Sequence, residues 1–225
     1  KKGIIKTLSR AEIIFHSTST HQLAPFCRKV SGLFNKVIEI DINFNIMWSE
    51  SNINLGLECF EDGILEKMFL GQPIKKLCAI YEFIVLCLHH YKDLNSIYLL
   101  FTRGFRVRHL CDIYYYLINH SDITPQKLFS VAQKYNVGAY IYNCISYVFY
   151  FFGDDYLVPY LEIMSNDYAI RLFHSFGLSD EERHKWTIPF EKRIVPDELH
   201  KYLCKTLSIE DIRKIETNKL MMHSF

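Results

Sequence analysis

Glu39 and Asp41 stand two residues apart in "VIEIDINFNI", residues 37–46. Ile38, Ile40, Ile42, Phe44 and Ile46 alternate with them and with Asn43 and Asn45. A period of two puts both carboxylates on one side of a strand, about 7 Å apart along it. Hard cations such as Mg²⁺ take carboxylate oxygens held on a rigid element, so the pair is a candidate metal-facing edge. The pattern alone is also that of any antiparallel strand with one solvated face, and this plainer reading comes first.

Three further groups carry possible chemistry. His89-His90 closes a long apolar helical stretch. Adjacent residues do not share a helical face, so the two are expected as one buried or capping imidazole and one exposed one, not as a paired metal site. Asp112 lies in "FRVRHLCDIYYYL" (105–117), with Arg108 and His109 four and three residues before it on the same helix surface. A carboxylate in so aromatic a helix needs a partner, and Arg108 or a His can serve; a substrate-facing role for Asp112, His89 and Arg108 is the second reading. Arg103 and His109 match the loose Arg-x5-His spacing of a class of helical ribonucleases, but Gly104 stands where those carry a polar residue. Gly153-Asp154-Asp155 reads as a turn followed by an N-cap. There is no Gly-rich phosphate loop, Gly-x-Ser-x-Gly, His-Glu-x-x-His or dinucleotide fingerprint.

The elements that must position these residues fall into two regions. Residues 1–50 read as β: "AEIIFHS" (11–17), a turn at Thr18-Ser19-Thr20, "HQLAPFCRKV" (21–30) with Pro25 marking an edge, and then the strand at 36–46. Residues 51–225 read as helical. "EDGILEKMFLG" is expected as a short helix, and Pro73 to open a second one with Ile74, Leu77, Tyr81, Ile84, Val85 and Leu88 on one face. Val107, Leu110, Cys111, Tyr114 and Leu117 share a face further on, and Thr124-Pro125 is a cap followed by a first helical residue. "AYIYNCISYVFYFFG" is apolar nearly all round and so reads as a buried helix. Pro159 starts "PYLEIMSNDYAIRLFHSFG", Ser179 caps "SDEERHKW", and one or two helices close the chain. The expected fold is α+β and mostly α, a short antiparallel β part followed by a bundle of six to eight helices.

Composition sets the class. The 225 residues are 49% apolar or aromatic, enough for a sizeable core. Lys and Arg number 26 against 25 acids, so no basic excess argues for nucleic acid. The seven Cys form no Cys-x-x-Cys pair and sit mostly in apolar runs, as buried thiols of a reducing, cytoplasmic setting do. The longest apolar run, "YIYNCISYVFYFF", falls short of the roughly 20 residues of a membrane-spanning helix. The chain opens on Lys1-Lys2-Gly3 without Met, which suggests a processed or truncated piece.

Several of these pieces recur in order: "HQLAPF", "VIEIDINFNI" followed by Trp48, "FIVLCLHHYKD", "FRVRHLCDIYYYL", "FSVAQKYNV" and "FFGDDYLVP". The succession resembles the uncharacterised nucleotidyltransferase family of bacteria. The resemblance implies a polymerase-β-type sheet followed by a helical region. It also implies a Gly-Ser or Gly-Gly turn, an Asp-x-Asp pair and a third carboxylate, together holding two Mg²⁺ that clamp a nucleoside triphosphate. Glu39 takes the place of the third carboxylate, with Asp41 where the family often has His. Neither Asp-x-Asp nor Gly-Ser occurs among these residues. The β part is then a remnant of the sheet, and the missing acids come from an N-terminal segment or a partner. This chain alone is expected to be inactive. The first functional reading is transfer of a nucleotide to an unknown acceptor; the alternative is a non-catalytic helical binding or interaction domain.

Overall fold

The structure, a computed structural model, describes residues 26–29, 37–40, 45–47, 51, 53 and 55–223, and of the strands at 26–29 and 37–40 the backbone alone. The chain divides into two compact units, Lys1–Leu57 with Ile209–Phe225, and Glu58–Ser208. The fold is α+β and mostly α.

In the first unit, β1 (Phe26–Lys29) and β2 (Val37–Ile40) pair antiparallel, with Cys27 opposite Glu39 and Arg28 opposite Ile38. An isolated bridge joins Asn45 to Gly56, and the Ile46 amide donates to the Leu55 carbonyl at 3.1 Å. Ile46, Met47, Ile53 and Leu55 are buried. The expected strand at 11–17, the turn at 18–20 and Asp41 lie outside the described residues.

The 3₁₀ segment Leu57–Gly63 leads into the second unit, where Phe60 packs edge-on against Tyr81 and tilted against Tyr135. Next comes a hairpin rather than the helix that "EDGILEKMFLG" suggests: β3 (Ile64–Phe69) pairs with β4 (Gln72–Leu77) around Leu70-Gly71. Both turn residues have positive φ, 49° and 77°, as a two-residue hairpin loop that matches strand twist demands. Gly71 accepts that conformation freely, and Leu70 follows it in solvent. Ile74 and Leu77 therefore belong to a strand, and Pro73 opens no helix. Tyr81, Ile84 and Leu88 line the buried side of α1 (Ala79–Asn95).

Ser96 ends α1 and caps α2 (Ile97–Arg103), its hydroxyl accepting from the Leu99 amide. Gly104, at φ 70°, turns the chain into α3 (Val107–Ile118). Thr124 caps α4 (Pro125–Lys134) with Pro125 in its first turn, as the sequence predicts. The apolar helix is α5 (Gly138–Phe152), buried from Ala139 through Val148 apart from Tyr142. It packs against α1, α3, α4, α6 (Val158–Met164) and α7 (Asp167–Phe173). Asp154 caps the turn after α5, accepting from the Tyr156 amide and from the Tyr114 hydroxyl at 2.6 Å.

Two readings change here. "PYLEIMSNDYAIRLFHSFG" holds two short helices, because Asn166 caps a new start, its side chain accepting from the Ala169 amide at 2.9 Å. "SDEERHKW" forms no helix. Its residues make the connection between β5 (Ser175–Phe176) and β6 (His184–Lys185), and Ser179 accepts from the Glu182 amide within that turn. The remaining helices are α8 (Phe190–Arg193), α9 (Pro196–Thr206) and, in the first unit, α10 (Ile209–His223). Among the described residues no helix is long and apolar enough to cross a membrane.

Gly177 ties this region together. Its amide donates to the Asn95 carbonyl at 2.8 Å and its φ is 113°, while a Cβ there would run into the Glu182 backbone carbonyl. Gly177→Ala should therefore lower unfolding stability by at least about 2 kcal/mol in urea titrations. An unchanged midpoint would contradict the described backbone.

Candidate functional site

Two helices of the second unit build the cluster richest in chemistry. The α1 segment "LHHYKD" turns His90 inward, and α1 packs against α3, which carries Arg108, His109 and Asp112. One step along a helix turns a side chain by about 100°, so His89 lies half out in solvent while His90 is 5% exposed. His109 sits three residues before Asp112 on the neighbouring helix and is 3% exposed.

The geometry is close without being hydrogen-bonded. The rings of His90 and His109 lie 4.3 Å apart between centroids. His90 Nε2 stands 3.5 Å from Asp112 Oδ2, and His109 Nε2 stands 3.5 Å from Asp93 Oδ2. His89 Nε2 approaches the same Asp93 oxygen at 3.8 Å. These distances suit an ion pair only if the imidazoles are protonated, and none is a hydrogen bond. All four ring nitrogens of His90 and His109 are buried without a hydrogen-bond partner. Each such orphan costs about 1–3 kcal/mol. His109 and Asp93 also border a small cleft with Leu99, Arg103, Gly104 and Arg106.

Burial decides the charge of these rings. It pushes His90 down to about 3, helped by His109, His89, Arg108 and Lys92. His109 is lowered first by burial and further by Arg108 and Arg106, against the opposing pull of Asp93 and Asp112. His89 is lowered as well, by burial and by Lys92. Near neutrality the cluster is thus a set of neutral imidazoles beside carboxylates, the protonation state in which His binds metals.

The residues singled out in the sequence are placed as follows. Asp112 does not pair along its own helix with Arg108. Its nearest imidazole is His90 on α1, and with 47% of its side chain exposed it is not a buried carboxylate. Arg108 is exposed and, among the described residues, forms no ion pair. Arg103 and His109 border the same cleft. Asp93 was missed, although its spacing of four from His89 and three from His90 puts it on their helical side. The packing of α1 on α3 has no local signal in the sequence. Among the described residues six cysteines are free thiols, and none joins this cluster.

Residues 6–153 match the family described as uncharacterised nucleotidyltransferase, well over half of the chain. The chain belongs to this family. No curated protein and no solved structure matches it. The family region contains β1 to α5, and so both Glu39 and the His–Asp cluster; α6 to α10 lie beyond it. Glu39 lies in register with Cys27, its side chain outside the described residues, and β1 carries no acid. Mg²⁺ requires an oxygen shell, and one carboxylate does not make a two-ion centre. The described residues of this sheet therefore do not fit that centre by themselves.

The buried imidazoles have a stability signature. Between about pH 3 and 6.5 the unfolded chain binds a proton at His90 that the folded chain refuses, so stability rises with pH in that window and levels off above it. In buffer free of divalent metals, acidification from pH 7 to 5 should cost about 2 kcal/mol through His90 alone. Urea titrations at both pH values on wild type and His90→Leu should show the slope shrinking by that amount. An identical slope in the variant would remove His90 as its source.

Proposed function

We propose that the chain serves in nucleotidyl transfer, in which an acceptor hydroxyl displaces pyrophosphate from the α-phosphorus of a nucleoside triphosphate. The observation that carries this reading is the family match across residues 6–153, which includes Glu39 on a strand paired in register with β1. Glu39 is the acid we assign to a Mg²⁺-dependent centre, and Asp41, two residues on, is the weaker candidate. The further carboxylates come from an N-terminal segment or a partner chain, since no Asp-x-Asp occurs among these residues. The second unit is assigned to acceptor binding, through Asp112, His89 and the exposed cation of Arg108.

A second reading rests on the same scarcity of acids. With a single carboxylate on β1 and β2, the chain is a non-catalytic helical binding or interaction domain. Calorimetry with Mg²⁺ and ATP separates the two. The transferase reading expects the chain, together with the segment or partner that supplies the remaining acids, to bind tighter than roughly 1 mM and Glu39→Ala to weaken that binding at least about tenfold, with an unchanged far-UV spectrum. Absence of binding in that completed assembly supports the interaction domain, and binding indifferent to Glu39→Ala removes Glu39 from the centre.

A further inference from the structure

We propose that His90, His109 and Asp112 bind a divalent transition-metal ion of the zinc class between α1 and α3. The ligating atoms of the three lie within 4.8 Å of one another, although they come from two helices. In a tetrahedral zinc site with bonds near 2.0–2.1 Å, ligand atoms stand about 3.3–3.4 Å apart. His90 Nε2 and Asp112 Oδ2, at 3.5 Å, already span such an edge.

The competing explanation is a pair of ordinary core histidines. Such rings satisfy their nitrogens with a carbonyl, a hydroxyl or a carboxylate at hydrogen-bond distance. His90 and His109 are both more than nine-tenths buried, and all four of their nitrogens lack a partner. Nor does a close ion pair with Asp112 or Asp93 satisfy them, since both carboxylate contacts stand at 3.5 Å without forming a hydrogen bond. A metal ion resolves the conflict, because it takes neutral imidazole and unprotonated carboxylate together.

The donor set also selects the ion. Imidazole suits zinc and its first-row neighbours, whereas Mg²⁺ keeps oxygen ligands and water. Asp93, 3.5 Å from His109 Nε2, adds a second negative charge. Two carboxylates balance a dication against Arg106 and Arg108, both of which act on His109. Half-exposed Asp112 leaves the ion a way in. The inference does not depend on the transferase reading: it concerns another ion and is carried by the orphaned nitrogens of His90 and His109, and Asp112 is the one residue the two readings share.

The test uses the full chain, stripped with chelator and titrated with Co²⁺ and then Zn²⁺. We expect one equivalent of Co²⁺ with the visible ligand-field bands of a four- or five-coordinate nitrogen–oxygen site. Zn²⁺ should displace it and raise Tm, and Mg²⁺ should do neither. Asp112→Asn and His109→Gln should each weaken Zn²⁺ binding at least about 100-fold. Asp112 is half-exposed, so its variant decides the matter should the His109 variant fail to fold. Unchanged affinity in Asp112→Asn, thiolate charge-transfer bands, or binding lost only in His200→Ala at the exposed His200–Cys204 pair would overturn the proposal.

Discussion

The second unit is organised by one helix that is buried along most of its length. α5 is apolar almost all round, and folding is favourable only if neighbours cover each side of it. Large side chains such as Ile141, Ile145, Tyr147 and Val148 are fully buried, each contributing about 1.5–3 kcal/mol relative to exposure. Several polar groups on α5 are met from the surrounding elements, while Asn143 Nδ2 is buried without a partner. Asn95 donates to Asn143 at 3.2 Å, the Cys144 thiol donates to the Cys87 carbonyl, and the Trp186 indole donates to the Tyr147 hydroxyl. Covering this helix brings α1 and α3 side by side, because both lie against it.

The His–Asp cluster is a consequence of that packing. Neither α1 nor α3 holds a site alone. α1 offers one inward imidazole with an acid one turn on, and α3 offers an imidazole and an acid three residues apart. Only when both helices dock on α5 do four buried imidazole nitrogens meet without hydrogen-bond partners. Arg106 and Arg108 then act on His109 and Arg103 borders its cleft, so the local field is set by charges that helix periodicity alone does not bring together.

Much of the local structure was legible. The Thr124 cap, the Gly153-Asp154 turn and the buried run at 139–148 follow from single-residue chemistry and from three-to-four-residue periodicity. The failures have physical causes. At 61–77 a run of mixed charged and apolar residues satisfies either period, and the Leu70-Gly71 turn chose the hairpin. At 179–186, acids after Ser179 suggested a helix start, but His184 and Lys185 pair with β5 and the Trp186 amide donates to the His174 carbonyl.

The sequence by itself determined the family, from ordered short motifs, and the mostly helical α+β class, from the period of its apolar residues. It also determined that Glu39 lies on a strand, since alternation is a local property of the chain. Tertiary structure alone decided that His90 meets His109 and Asp112, and that Asp112 turns to another helix rather than to Arg108. The reason is range. Caps, turns and periodicity act within a few residues, whereas the meeting of α1 and α3 is set by the burial of a third helix, remote from both in the chain.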